Sequence, residues 1–371
     1  MRPRTEQELA EVVRDARGPL RIAGGGTRPI GRPVTGEVLE TAGLSGITLY
    51  EPGALTLVAQ AGTLLEDVEA ALAFEGQRLP FEPMDHRALL GTKGRPTIGA
   101  VAAMNNSGPR RIAVGAARDF MLGVRFVDGA GNIIKNGGRV MKNVTGYDLV
   151  RLMAGAHGSL GVLTEVAFKV LPAVEQTATV ILRDLEIDRA VAAMAAAMGS
   201  PFEVTGAAHD PETGETALRL EGFATSVAYR AGRLAEALAA FGASEIEVDK
   251  TRVAARWTAI RDVTAFAKRQ GDVWRLSVTP SDAPAIAARL QASALRFDWA
   301  GGLIWALVPE GTDLRGRLGA FPGHATLIRA STETRSALAS FQPEAPAVAA
   351  LSAGLRARFD PRGILNPGIM L

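Results

Sequence analysis

The stretch KNVTGYDLVRLMAGAHGSLGVLTEVAFKVLP, residues 142–172, combines three kinds of order without a gap. Apolar residues between Tyr147 and Met153 recur at spacings that predict a short helix buried on one side. The following glycines, 155, 158 and 161, favour an irregular loop whose backbone amides can approach a ligand, although a plain turn also explains them. From Val162 the run VLTEVAFKVL predicts a strand that stops at Pro172.

Length and composition limit the classes of protein to which this stretch can belong. A chain of 371 residues, 47% hydrophobic and 22% charged, is typical of a soluble α/β protein with two or three domains. Lys and Arg (41) nearly balance Asp and Glu (39), and the few aromatic residues are not interleaved with basic ones. A nucleic-acid surface is therefore not indicated.

The residue types that the chain lacks also narrow its chemistry. It has no cysteine, which excludes disulfides and cysteine-ligated iron–sulfur clusters, and its four histidines lie too far apart in sequence to predict a metal site. The N-terminus predicts an amphipathic helix rather than a signal peptide. The longest apolar runs are much shorter than the roughly 20 residues of a membrane span. We therefore expect a cytoplasmic protein.

A second glycine-rich segment follows a predicted strand near the N-terminus. The strand LRIA, residues 20–23, leads directly into GGGTR, residues 24–28. Consecutive glycines can form a nest of amide N–H groups for a diphosphate, and the Thr and Arg that follow add a hydroxyl and a cation. A tight turn is the alternative, and the segment matches neither a Walker A loop nor the G-x-G-x-x-G fingerprint.

A third unusual segment is TIGAVAAMNNSG, residues 97–108. Its small residues would let the backbone press closely against a planar ligand, and its two asparagines and serine would supply amides and a hydroxyl. A tightly packed core helix is the alternative. The adjacent asparagines favour the ligand, because buried amides need partners.

These segments together carry a family resemblance. With LPFEP (79–83) and GAARDFMLGVRFVDGAGNII (115–134), and in this order and spacing, they resemble the FAD-binding domain of the vanillyl-alcohol oxidase and p-cresol methylhydroxylase flavoprotein family. The resemblance covers residues 1–172, and FDPRGILNPGIML (359–371) is similar to the C-terminal signature of the family. Three further motifs resemble the FAD-binding E subunits of bacterial glycolate oxidases: GRP (31–33), PRR (109–111) and VMKNVTGYDLVRLM (140–153).

The resemblance implies FAD-binding roles for individual residues. Residues 24–28 would hold the FAD pyrophosphate, and residues between 97 and 115 would line the flavin and ribityl chain. Gly161 and Val162 would present backbone near the flavin or adenine, and Asn366 would reach the isoalloxazine. The residues implied are Gly24, Gly25, Gly26, Thr27, Arg28, Thr97, Ile98, Gly99, Asn105, Ser107, Gly108, Gly115, Gly161, Val162 and Asn366.

The sequence departs from the family pattern in two places. The usual N-A-G-G reads NNSG at 105–108, and R-Y-G reads AVG at 113–115, so no flavin contact is carried over to Asn106 or Val114. Family members with covalent FAD use a His in or near the loop that corresponds to residues 24–28, or a Cys or Tyr elsewhere. Here Thr27 occupies the loop position and Cys is absent, which favours noncovalent FAD.

Residues 173–330 differ in character from the N-terminal part. Predicted strands at 177–182, 217–220, 274–278 and 302–308 alternate with predicted helices at 187–198, 226–241 and 283–292. This order predicts an antiparallel sheet covered by helices. The predicted fold class is therefore α+β, with a two-part FAD-binding domain of the vanillyl-alcohol oxidase type (1–172), an α+β cap domain (173–330) and a C-terminal helix and segment that returns to the FAD domain (331–371).

Ionisable candidates in the predicted cap domain are few. His324 and Arg329 could place a base and a carboxylate-binding cation in one cleft, whereas a surface histidine and a salt-bridged arginine are the alternative. The catalytic subunits that resemble this chain carry a histidine cluster for a metal, and nothing in the sequence matches it. Catalytic residues therefore stay unassigned.

The resemblance implies a FAD-binding subunit of a glycolate oxidase complex, which converts glycolate to glyoxylate. Its partners would be a larger FAD-binding catalytic subunit and an iron–sulfur subunit, through which the chain could associate peripherally with the inner membrane. A chain without cysteine cannot carry electrons away through a cysteine-bound cluster of its own, which also favours such partners. The alternatives are an independent FAD-dependent 2-hydroxy-acid dehydrogenase and a structural subunit with a vestigial FAD pocket.

Overall fold

A computed structural model describes residues 1–139 and 146–370 of the protein. The chain divides into two units by its internal contacts. The first unit contains residues 1–107, 116–173 and 343–371, and the second unit contains residues 108–115 and 174–342. The KNVT motif at 142–145 lies outside the described residues. The domain boundaries after residues 172 and 330 remain predictions from the sequence.

Strands and helices occur throughout both units. The strands are β1 (Leu20–Ala23), β2 (Glu37–Glu40), β3 (Ile47–Glu51), β4 (Thr56–Gln60), β5 (Gln77–Arg78), β6 (Met121–Val127), β7 (Ile133–Gly137), β8 (Val162–Lys169), β9 (Leu171–Pro172), β10 (Gln176–Leu182), β11 (Gly206–Asp210), β12 (Glu215–Gly222), β13 (Ser244–Glu247), β14 (Asp272–Val278), β15 (Ala294–Asp298), β16 (Leu303–Val308) and β17 (Gly323–Arg329). The helices are α1 (Glu6–Asp15), α2 (Leu65–Phe74), α3 (Arg87–Leu90), α4 (Ile98–Ala103), α5 (Arg111–Val114), α6 (Ala117–Phe120), α7 (Leu149–Met153), α8 (Ile187–Met198), α9 (Ala224–Ala237), α10 (Lys250–Arg261), α11 (Ala283–Leu290), α12 (Leu314–Leu318), α13 (Thr332–Ala337) and α14 (Pro346–Phe359). Among the described residues, no helix is both long enough and apolar enough to span a bilayer.

The first unit is centred on a five-stranded sheet of order β3-β4-β8-β6-β7, in which neighbouring strands are antiparallel. Its middle strand, β8, is the strand predicted to begin at Val162, and it ends at Lys169. The predicted short helix before it is confirmed as α7, whose first turn is capped by Asp148: its carboxylate accepts a hydrogen bond from the Arg151 amide at 3.0 Å.

The C-terminal segment packs against the start of the chain inside the first unit. Leu20 of β1 forms a parallel bridge with Leu365, and its amide donates to the Ile364 carbonyl at 2.7 Å. Leu20, Ile364 and Leu365 belong to one buried apolar cluster with Leu9 of α1. Strand β1 and the segment around Leu365 are thus joined by both backbone hydrogen bonds and buried apolar surface.

The second unit contains an eight-stranded sheet of order β13-β10-β12-β11-β15-β16-β14-β17, with antiparallel neighbours where pairing is described. Alternate strand residues share one core with helices α8, α9 and α11. The predicted antiparallel sheet covered by helices is therefore confirmed. Strands β11, β13 and β15 and helix α10 were not predicted. The short strand sequences GAAHD, SEIE and ALRFD contain few β-branched residues and no clear alternation.

Arg362 joins the C-terminal segment to α1 and to the β6–β7 turn. Its guanidinium donates to the carbonyls of Val13, Arg14 and Ala16 at the end of α1, and to that of Gly129. Arg362→Ala leaves these carbonyls without their cation, so we expect the free energy of unfolding to fall by about 1–2 kcal/mol in urea titrations. Exposed Arg358 provides the control, because Arg358→Ala should change stability by less than about 0.5 kcal/mol. Equal stability of the two variants would contradict this role.

Candidate functional site

The glycine loop after β1 is defined as residues 24–28. It crosses residues 94–97 of the first unit so closely that the two backbones are in contact. A Cβ atom at Gly25 would lie 1.5 Å from the Arg95 carbonyl oxygen, and one at Gly94 would lie 1.7 Å from the Gly25 carbonyl oxygen. A Cβ atom at Gly24 would lie 2.7 Å from Thr97 Oγ1. Side chains at these positions would force the two segments apart. The glycines are thus required by the protein's own packing, whatever ligand the loop holds.

The remainder of the glycine loop is held by different contacts. Gly26 has a φ of +67°, and apart from Gly26 itself and its two chain neighbours, no heavy atom of the described residues lies within 4 Å of the place a Cβ would occupy. Thr27 is buried, and its carbonyl accepts a hydrogen bond from Thr92 Oγ1 at 3.1 Å. The loop therefore has one face packed against protein and one open face at Gly26.

Arg28 is positioned by residues 84–86, which the sequence analysis did not connect with it. Its Nε donates to His86 Nδ1 at 3.3 Å, and its Nη2 donates to the Met84 carbonyl at 3.2 Å. That carbonyl also accepts a hydrogen bond from Asn106 Nδ2 at 2.8 Å. Burial lowers the pKa of Arg28 to about 10, against the opposing charge of Asp85, so the guanidinium stays cationic at neutral pH.

Thr97, Ile98 and Gly99 continue from the crossing into α4. The Ile98 amide donates to the Thr63 carbonyl and the Gly99 amide to the Ala61 carbonyl, so the protein itself uses both N–H groups. A Cβ atom at Gly99 would lie 2.5 Å from the Ala61 side chain, which explains the need for glycine in close packing. Thr97 differs: it is fully buried, and its Oγ1 has no hydrogen-bond partner in the described ranges.

Asn105 and Ser107 lie just after α4, and their side chains contact the start of α6. Asn105 Oδ1 accepts a hydrogen bond from the Arg118 amide, and Ser107 Oγ accepts one from the Ala117 amide, both at 2.9 Å. These side chains therefore fix the start of α6 with their acceptor atoms. Gly108 and Gly115 lie at the two ends of the segment that belongs to the second unit, and Gly115 has a φ of +94°.

Asn366 links the C-terminal segment to two other parts of the first unit. Its Oδ1 accepts from the Ile22 amide, and its Nδ2 donates to the His157 carbonyl, both at 2.8 Å. His157 lies in the loop of the opening stretch at a φ of +52°, and burial lowers the pKa of its imidazole to about 4. Asn366 thus ties this loop to β1, and its predicted contact with the isoalloxazine stays a prediction.

Gly161 and Val162 mark the start of β8. A Cβ atom at Gly161 would lie 2.6 Å from the Phe126 ring, so glycine is needed there for packing. The Val162 side chain is fully buried in the same apolar cluster as Leu20. The sequence identified both positions, but the structure gives them packing roles that the sequence did not reveal.

His324 and Arg329 do not form the predicted base–cation pair. In the register of β17 with β14, His324 lies opposite Ser277, whereas Arg329 lies opposite Val273 near the other end of the strand. The Arg329 guanidinium donates to backbone carbonyls, including that of Phe266 at 2.7 Å. Arg329 therefore anchors backbone, and the proposed cleft containing both residues is wrong.

Two buried polar atoms near the glycine loop provide a test of whether the site fits FAD. Arg28 Nη1 and Thr97 Oγ1 are buried without hydrogen-bond partners in the described part of the chain. Leaving such groups unpaired is costly in a folded protein, and a bound anionic, polar cofactor would satisfy them. With the open face at Gly26, these atoms fit a phosphate-bearing cofactor such as FAD.

Comparisons with known proteins give the same cofactor. Residues 1–137 match a family model described as a FAD binding domain. Glycolate oxidase subunit GlcE of Escherichia coli (strain K12) is 35% identical over 370 residues, covering 98% of this chain and 97% of that protein. Glycolate oxidase subunit GlcD of Bacillus subtilis (strain 168) is 30% identical over 194 residues, covering 51% of this chain and 40% of that protein.

A comparison of folds extends across both units. The solved structure of an alkyldihydroxyacetonephosphate synthase has a TM-score of 0.70, covering 99% of this chain and 76% of that protein. At 15% identity this likeness shows a shared fold and carries no further meaning for activity. It agrees with the predicted α+β fold of the vanillyl-alcohol oxidase type.

The unpartnered hydroxyl of Thr97 gives a specific prediction. Thr97→Val removes a buried hydroxyl that has no partner in the described protein, so we expect the FAD-free protein to be equally or more stable in thermal melts. FAD affinity, measured by flavin fluorescence titration, should fall about five- to tenfold through loss of one hydrogen bond.

Thr56 provides the matched control because it is also buried, but its hydroxyl already has a hydrogen-bond partner. Its Oγ1 donates to the Ala54 carbonyl at 3.0 Å. We expect Thr56→Val to lower stability by about 1 kcal/mol and to leave FAD affinity unchanged. Unchanged FAD affinity in Thr97→Val would remove this hydroxyl from the cofactor site.

Proposed function

The chain belongs to the family of glycolate oxidase subunit GlcE, and we propose that it is a FAD-binding subunit of a complex that oxidises glycolate to glyoxylate. The observation that carries this proposal is the 35% identity that extends over nearly the full length of both proteins. The chain is thus a component of a FAD-linked oxidoreductase acting on a hydroxy acid.

The proposed cofactor site lies in the first unit. Bound FAD supplies the capacity to accept two electrons from a substrate and pass them on. Gly26 leaves room for the diphosphate, Arg28 offers a cation with an unpartnered N–H, and Thr97 offers a hydroxyl. The remaining residues proposed to line the cofactor are those implied by the resemblance. Binding is proposed to be noncovalent, because Thr27 stands at the loop position that carries His in covalent members.

The proposed partners are a larger FAD-binding catalytic subunit and an iron–sulfur subunit. The relatives from E. coli and B. subtilis are both named as subunits of glycolate oxidase, which supports a multi-subunit assembly. The 371 residues contain no cysteine, so a cysteine-ligated cluster that takes electrons from this chain would belong to another protein. Peripheral contact with the inner membrane is proposed to occur through these partners.

The test compares the chain alone with the assembled complex. We expect a tagged chain at native expression to co-purify with both companions, and the chain produced alone to retain FAD by its absorption spectrum. With an artificial dye as acceptor, the isolated chain should oxidise glycolate at less than about one hundredth of the rate of the complex. Partner subunits produced without this chain are the control for background turnover.

Two results would contradict the proposal. An isolated chain that oxidises glycolate at the full rate of the complex would identify an independent 2-hydroxy-acid dehydrogenase. A folded chain that takes up no flavin, alone or in the complex, would instead identify a structural subunit with a vestigial pocket.

A further inference from the structure

The second unit contains a group of cationic side chains on one face of its sheet. In β14, Trp274 and Leu276 point into the core shared with the helices, so the intervening Arg275 points to the opposite face. Trp305 of β16 is paired with Arg275 across the sheet, and its ring centroid lies 6.0 Å from the Arg275 guanidinium carbon. The guanidinium thus lies beside an aromatic surface.

The indole of Trp299 brings a second arginine to the same place. The guanidinium carbons of Arg111 and Arg275 lie 4.8 Å and 5.1 Å from the Trp299 ring centroid. The distance between the two cations is therefore at most the sum of these values. Burial lowers the pKa of Arg275 to about 10, and the nearby positive charge of Arg111 adds to this effect. Asp298 opposes this effect.

Trp299 is held firmly in this position. Its Nε1 donates to the Gly108 carbonyl at 3.1 Å, and its amide donates to Asp298 Oδ1 at 2.7 Å. Trp299 and Ala300 both have positive φ values, +52° and +56°, which are unfavourable for residues with a Cβ. The surrounding contacts therefore maintain a strained backbone that presents the indole to the two arginines.

The segment that carries Arg111 is fixed independently. Arg110 forms an ion pair with Glu221, and the two side chains are only 6% and 5% exposed. The charge of Arg110 is thereby neutralised within the second unit. Arg111 extends from a backbone that is anchored just before it, by the side chain of Arg110 and by the Gly108 carbonyl.

Arg275 differs from other arginines of the second unit in its partners. Arg256 pairs with Glu247 at 3.0 Å, and Arg296 pairs with Asp210 at 3.0 Å. The Arg315 guanidinium donates to backbone carbonyls, including that of Phe341. Arg275 is half-buried, and across the described residues its guanidinium has neither a hydrogen bond nor an ion pair. Its N–H groups therefore remain available to a ligand.

His324 lies beside these cations on the edge strand. It is paired with Ser277, two residues after Arg275 on the same face of β14. Solvent reaches the imidazole, yet partial desolvation and the charges of Arg275 and Arg111 hold its pKa below the usual value. The imidazole is therefore mainly neutral at pH 7 and can exchange a hydrogen bond with a ligand hydroxyl.

We propose that Arg275, Arg111 and His324 form a binding site for a small carboxylate against the Trp299 indole. An anion between the guanidinium groups would relieve their repulsion, and the planar guanidinium matches the geometry of a carboxylate. The proposal goes beyond the proposed function, which assigns to this chain a cofactor site in the first unit and no carboxylate site of its own.

The test uses the full chain in its FAD-bound form. We expect isothermal titration calorimetry to detect saturable binding of glycolate and of acetate, and no binding of glycolamide, which is neutral and of similar shape. Arg275→Gln removes the charge and should weaken carboxylate binding about tenfold or more. Arg275→Lys keeps a positive charge but lacks the planar N–H donors of the guanidinium, so it should give an intermediate loss of affinity. Glycolate should also change tryptophan fluorescence, and Trp299→Phe should remove that change.

Arg189 provides the matched control. Its guanidinium carbon lies 4.8 Å from the Phe241 ring, and it extends from α8 in the same unit. Arg189→Gln therefore removes a stacked arginine elsewhere and should leave glycolate affinity unchanged. Thermal melts and the flavin to protein ratio of every variant establish that the protein is folded and loaded.

Three outcomes would overturn this proposal. They are an absence of saturable carboxylate binding in the folded wild-type chain, equal affinity in wild type and Arg275→Gln, and binding of inorganic phosphate without binding of glycolate or acetate. Failure of the proposed function has a separate signature, since it appears as loss of flavin or of partners. The carboxylate titration can be performed on the folded chain in either case.

Discussion

The backbone crossing at Gly25 and Gly94 determines where the polar groups around the glycine loop can lie. With carbonyl and Cα atoms in direct contact, neither segment can shift without the other. Thr97 lies three residues after Gly94, and Arg28 lies three residues after Gly25, so the crossing fixes the backbone close to both side chains. Each of these two side chains has one buried polar atom without a hydrogen-bond partner in the described part of the chain. The candidate cofactor site is thus preorganised by packing between glycines.

Local sequence patterns were sufficient for the elements that repeat with a clear period. Helix α8 begins and ends at the predicted residues 187 and 198, because its alanines and apolar residues follow a helical spacing. Strand β8 begins at the predicted Val162, because a run rich in β-branched and apolar residues starts there after the glycines. Strands β11 and β15 lack such a signal, since they are specified by neighbours in the sheet that lie far away in sequence.

The residue types of the candidate site could also be read from the sequence, whereas their contacts with residues far away in the chain could not. The sequence singled out Gly24 and Gly25 for their freedom to approach a ligand, but the atoms that exclude a Cβ there come from residues some 70 positions later. Likewise, the amide of Asn366 is committed to Ile22 and His157, partners that no local motif reveals. Charges such as those of Arg111 and Arg275 are visible in the sequence, whereas their common indole is not.

The pairing of β1 with the segment around Asn366 affects how the protein can fold as it is synthesised. Ile22 and Asn366 are 344 residues apart, so the hydrogen bond between them cannot form until the ribosome has added all the residues that separate them. At about 5–20 residues per second, β1 waits on the order of 20–70 s for its C-terminal neighbour. Residues 174–342 of the second unit emerge earlier as one continuous piece. The nascent first unit must therefore remain incomplete, with part of its apolar surface uncovered, while the second unit is being made.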